Sequence, residues 1–188
     1  MSSREKYTPG AASGAEIQKD GERWTLVLVR DLAHPPARVW EALTEPEHLR
    51  EWAPFDSDRS LGAIGSAKLS VVGTPTPTVS ETHVKRADAP KALEYTWGGG
   101  DVRWQLEPLG EGGTRLTLWH NIDRRYIAMG AAGWHVCLDV MDRSLAGQPV
   151  GRIVGPEAMK FEGWQRLHVE YAKKLGVQTP GFPSHAGT

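Results

Sequence analysis

Between Leu93 and His120 the chain alternates apolar and polar residues three times over, with glycine-rich links between the runs. Leu93, Tyr95 and Trp97 alternate with Glu94 and Thr96, and Val102, Trp104 and Leu106 alternate with Arg103 and Gln105. Leu116, Leu118 and His120 fall in phase on the third run. Gly98-Gly99-Gly100 and Gly110-Glu111-Gly112-Gly113 separate them, and links this short between period-two runs predict an antiparallel meander with one buried face. The period then lengthens. Trp134, Leu138, Met141 and Leu145 share one helical face, opposite a polar row of His135, Asp139 and Asp142. Gly147 and Pro149 stop that helix, which the spacing predicts over 131–145. A meander followed by an amphipathic helix buries both apolar faces when the sheet wraps the helix.

Upstream, 23–32 is rich in Val and Leu and reads as a strand. Pro35 and Pro36 open a helix that carries Val39, Trp40 and Leu43 on one face, and Thr44 is placed to cap a second short helix ending near Trp52, before Pro54. Ala67, Leu69 and Val71 alternate again, and 78–86 forms a further extended run. A last amphipathic segment, 156–175, begins at a proline and stops before Gly176. The expected class is therefore α+β: a curved antiparallel sheet of about six strands gripping one long C-terminal helix, with two short helices after the first strand. At 188 residues this is one domain, 23–175, between a disordered arm, 1–22, and a flexible tail, 176–188.

Charge and motifs exclude several functions. With 22 basic and 23 acidic residues the net charge is −1, so neither nucleic acid nor an anionic membrane is an expected partner. The first strongly apolar run, Leu26 to Val29, is far too short to cross a bilayer. One cysteine, Cys137, excludes an internal disulfide and suits a reducing cytoplasm. On a helix, His135 and Cys137 point apart, and no histidine pair has metal spacing, so neither metal nor cofactor is expected. Dinucleotide loop, phosphate loop, nucleophile elbow and zinc-protease motifs are all missing.

What remains is binding. A sheet of six strands is wider than one helix can cover, and the uncovered space suits an apolar or aromatic ligand. The sequence holds 8 tryptophans against 7 other Tyr and Phe residues together. In-phase positions nominate Tyr95, Trp97, Trp104, Leu118 and His120 from the sheet and Leu138 and Met141 from the helix, with Trp52 and Phe55 near the mouth. Trp119, out of phase, should face away. His120 is the weak candidate for a general base, since an inward imidazole titrates near neutrality.

The run from Arg30 through His34-Pro35-Pro36-Ala37-Arg38-Val39-Trp40 to Thr44-Glu45-Pro46-Glu47-His48-Leu49 and Trp52 resembles the entry motif of the SRPBCC superfamily. Within it, the similarity is to the branch of the activator of the ninety-kilodalton heat-shock protein's ATPase. Leu93-Glu94-Tyr95-Thr96-Trp97, the 113–118 strand ending in His120, and Gly133-Trp134 extend the likeness. The resemblance implies the helix-grip fold of lipid-transfer and pollen-allergen-like proteins. It also implies a choice among carrier, chaperone-associated protein and, less favoured, a cyclase- or dehydratase-type enzyme, because one scaffold hosts all of these. The eukaryotic activator works with a separate N-terminal domain, which the short arm here is not expected to supply.

Overall fold

A computed structural model describes residues 5–179. In chain order the elements are β1 (Ala15–Asp20), β2 (Arg23–Leu32), α1 (Pro36–Thr44), α2 (Pro46–Trp52), β3 (Phe55–Ser57), β4 (Gly65–Val71) and β5 (Thr78–Val84). There follow β6 (Arg86–Asp88), β7 (Ala92–Trp97), β8 (Gly100–Pro108), β9 (Thr114–Asn121), α3 (Ile127–Leu145), α4 (Gly155–Lys160) and α5 (Glu162–Leu175). Six strands form one antiparallel sheet in the order β1-β2-β9-β8-β7-β6, and β3-β4-β5 form a second. This is the expected α+β grip of a curved sheet on a long helix, with a small sheet added.

Register shows how the meander builds the core. Leu28, Leu118, Trp104 and Leu93 stand opposite one another across four strands, and Leu26, His120, Val102 and Tyr95 form the next inward row. At the sheet's end the row runs out at the β7–β8 hairpin, where Gly98 and Gly99 both have positive φ, which glycine adopts without a steric penalty. Gly100 begins β8, and a Cβ there would lie 2.1 Å from the Asn121 carbonyl oxygen, so the strands close only on a residue without a side chain.

Several expectations are corrected. The strand at 67–71 belongs to the second sheet, and the run expected over 78–86 breaks at Lys85 into β5, in the second sheet, and β6, in the first. There the ladder passes to β7 through Thr82 Oγ1 donating to the Thr96 carbonyl (2.7 Å) and Lys85 N donating to the Glu94 carbonyl (2.8 Å). Residues 5–22 do not form a disordered arm. Tyr7 and Ala12 are buried, β1 pairs with β2 along its length, and Ala12 N–H donates to Glu170 at 2.9 Å. Polar segments hold position when their backbone groups find partners, which composition does not report. Thr44 does not cap α2; its hydroxyl donates to the Trp40 carbonyl one turn back (2.8 Å), and Glu45 takes the cap position. α3 begins at Ile127 after a tight turn capped by Asp123, four residues before the expected start. The C-terminal segment breaks at Phe161, whose extended backbone separates α4 from α5. The tail beyond 179 and residues 1–4 lie outside the described residues.

Candidate functional site

α3 crosses the sheet with side chains of very different size on one face. Leu138, Met141 and Leu145 are large and buried. The adjoining strip of the helix carries Gly130, Gly133 and Cys137, which line a cavity of about 790 Å³; a Cβ on Gly130 would lie 2.6 Å from Ile122 Cδ1, whereas one on Gly133 would meet nothing nearer than 4.0 Å. Trp97 and His120 wall it from β7 and β9, Trp134 and Met129 from α3, and Met159 and Trp164 from α4 and α5. Its rim is Asn121, Asp123 and Tyr126.

His120 is a structural member of this wall. It is 6% exposed and lies against Trp97, centroids 5.6 Å apart with the rings 30° from parallel. Trp134 Nε1 donates to His120 Nδ1 at 3.0 Å. An indole N–H can only donate, so Nδ1 must carry the lone pair and the neutral ring keeps its proton on Nε2. The Trp97 backbone also hydrogen-bonds the ring, which favours protonation, but burial outweighs this and lowers the pKa to about 4. The imidazole is thus neutral at pH 7 with its basic nitrogen occupied, which leaves it nothing to accept a substrate proton with. Burial likewise pushes the Cys137 thiol up to about 12, so it stays a protonated, apolar wall.

Of the nine residues nominated from sequence, the structure brings Trp97 and His120 to the cavity. The other seven, Trp52, Phe55, Tyr95, Trp104, Leu118, Leu138 and Met141, do not line it and are buried in the core. Trp104 is fully buried, edge-on to Trp52 (6.3 Å) and to Trp134 (5.4 Å), and its Nε1 donates to the Tyr95 hydroxyl at 3.1 Å. Phe55 meets Tyr95 and Trp97, and Trp52 Nε1 donates to the Ala42 carbonyl at 2.9 Å. Large in-phase side chains fill space, so they mark where a cavity is not. The signal that could have found it is the small-residue spacing Gly130, Gly133, Cys137 on one helix face. Trp119 faces away as expected, with the Arg103 guanidinium 3.9 Å above its ring.

The opposite flank of α3 also departs from the solvated row expected. His135 is buried; its Nδ1 sits 2.7 Å from the Tyr171 hydroxyl, its Nε2 3.4 Å from Asp139, and the Tyr7 hydroxyl donates to Asp139 at 2.7 Å. This network binds the N-terminal arm and α5 to the back of α3. Among the described residues no group of His, Cys, Asp or Glu could hold a metal ion, and no helix is long and apolar enough to cross a membrane.

Residues 33–146, more than half the chain, match the family model described as Activator of Hsp90 ATPase homolog 1-like protein, AHSA1. The chain belongs to that family. No curated protein matches it. Similar solved structures include EF2215, a conserved protein of unknown function from Enterococcus faecalis (17% identity, 85% of this chain and 89% of that one, TM-score 0.65). CalU16 from Micromonospora echinospora is 20% identical over 85% of this chain and 94% of its own, TM-score 0.61. The protein encoded by gene BPP1335 from Bordetella parapertussis is 22% identical over 91% and 93%, TM-score 0.62. At such identities these likenesses show the AHSA1-type fold alone, which is compatible with ligand binding or a chaperone-associated role.

Proposed function

We propose that this AHSA1-family chain binds an apolar small molecule in the cavity between the sheet's open end and the first half of α3. The observation that carries this reading is the cavity itself. About 790 Å³ lies within the range of small-molecule sites, and its walls are mostly indole, thioether and aliphatic groups with few polar atoms. Two small residues of α3, Gly133 and Cys137, border this volume without filling it. A chaperone-associated role would call for an outward patch. The exposed large apolar side chains among the described residues, Ile64, Val79, Tyr126 and Val169, lie in four separate stretches of the chain.

The test is titration with the neutral probe N-phenyl-1-naphthylamine, read by its own emission and by quenching of the indoles. A Cβ on Gly133 would have Trp164 Nε1, 4.0 Å away, as its nearest foreign neighbour, so Gly133→Leu projects into the void without striking backbone. Saturable one-to-one binding is expected, weakened at least tenfold in Gly133→Leu while the melting temperature holds. Absence of binding, or equal affinity in the variant, overturns the reading.

A further inference from the structure

Resting on the cavity reading above, we propose that the site discriminates against anionic ligands, taking neutral or cationic apolar molecules, and that Asp123 at the rim is the specificity-determining residue. Among the described residues lining the cavity, Asp123 alone carries a formal charge at neutral pH. Its ionisation is assured locally. The Arg125 side chain donates to both carboxylate oxygens (3.1 and 3.0 Å) and the Arg125 backbone N–H to Oδ1 (2.9 Å), holding the carboxyl near 2.

The cations around the cavity are committed elsewhere. Arg125 is engaged by Asp123, Arg124 lies over the Trp24 ring at 5.3 Å, and Arg23 donates to Asp101 and Asn121. Behind Cys137, Arg152 is held by Asp56 and by the Leu49 and Phe55 carbonyls. None of these four arginines lines the cavity. Two polar groups of the wall are held by hydrogen bonds: His120 Nδ1 by the Trp134 indole, and Asn121 by Thr25 Oγ1 and Arg23. A carboxylate drawn inside would lose its water and meet no cation among the described lining residues, which strongly opposes its entry. Left at the rim, it would face the carboxylate side of the Asp123–Arg125 pair, since Asp123 lines the cavity and Arg125 does not. An ammonium at the same rim meets an attractive charge instead, and the three indoles below offer faces that tolerate a cation.

Three competitors with one ten-carbon chain separate these effects: 1-decanol, decylammonium and decanoate, each displacing N-phenyl-1-naphthylamine at pH 7.5 and low salt. Decanol and decylammonium should compete well, and decanoate at least tenfold less effectively than decylammonium. In Asp123→Asn, which keeps a side chain able to cap the turn, the cation-to-anion preference should shrink several-fold while the decanol value holds. If decanoate competes as well as decylammonium, charge discrimination is overturned and the cavity reading stands. If the preference survives unchanged in Asp123→Asn, the role of Asp123 is overturned. If the probe does not bind at all, the cavity reading itself fails.

Discussion

The two halves of α3 differ in how fully the space beside them is filled. From Leu138 onward the helix meets the sheet through leucine and methionine side chains that are almost wholly buried. Before it, Gly133 and Cys137 border a gap that the surrounding indoles line without closing. Trp134 belongs to both halves: its ring packs on Trp104 and its N–H holds His120 at the cavity wall. The difference teaches that a binding site in a grip fold is made by removing side-chain volume locally. The aromatic cluster beside it keeps the walls from collapsing into the space, because aromatic pairs at these separations resist repacking.

The largest expected effect comes from breaking the packed half. Trp104→Ala removes a fully buried indole and should cost about 3–5 kcal/mol in urea unfolding. The folded fraction should still bind N-phenyl-1-naphthylamine near wild-type affinity; a loss of stability under about 1 kcal/mol would show that this half is not close-packed.

Acid probes the shared wall. His120 titrates near 4 when folded against an ordinary 6.5, so the unfolded chain binds more protons between those values. The stability this provides is fully present above pH 6.5 and is lost as pH falls towards 4, by about 3 kcal/mol in total. His168, lowered by burial, contributes in the same direction. His120→Gln keeps an acceptor for the Trp134 indole and removes the titration, so its stability profile between pH 4 and 6.5 should be flatter than the wild type's. Parallel profiles would contradict the assignment.

A smaller effect tests the back of the helix, which neither half of the comparison involves. Tyr7→Phe deletes the hydrogen bond to Asp139 and should cost about 1–2 kcal/mol, with faster amide exchange in β1 and unchanged probe binding. Weaker probe binding in that variant would mean that the arm supports the cavity. The smallest effect has the opposite sign. Gly133→Ala places a methyl into open space on a helix and should stabilise by about 0.5–1 kcal/mol; a destabilised variant would show that the space is not there.

How far the site was legible follows from particular residues. Trp97 and His120 could be placed on the inward face of two strands of the meander by alternation alone, and both reach the cavity. Trp104 shares that phase and does not, because phase reports which face a residue is on and not whether the space beyond it is filled. Met159 and Trp164 carry no signal that relates them to β9, more than thirty residues earlier. The mixed polar and small residues of 5–20 look unstructured until Arg166 and Glu170 supply partners for the Pro9 carbonyl and the Ala12 N–H.

The sequence by itself determined the meander, the helix that follows it and the family, since alternation, turn glycines and helix stops are properties of near neighbours along the chain. The tertiary structure alone decided which end of the sheet–helix interface stays open, that His120 spends its basic nitrogen on Trp134, and that the N-terminal arm is bound to the back of α3. Each of these depends on whether groups from distant segments meet. A cavity is the limiting case, defined by atoms that five separate elements fail to place in the same volume.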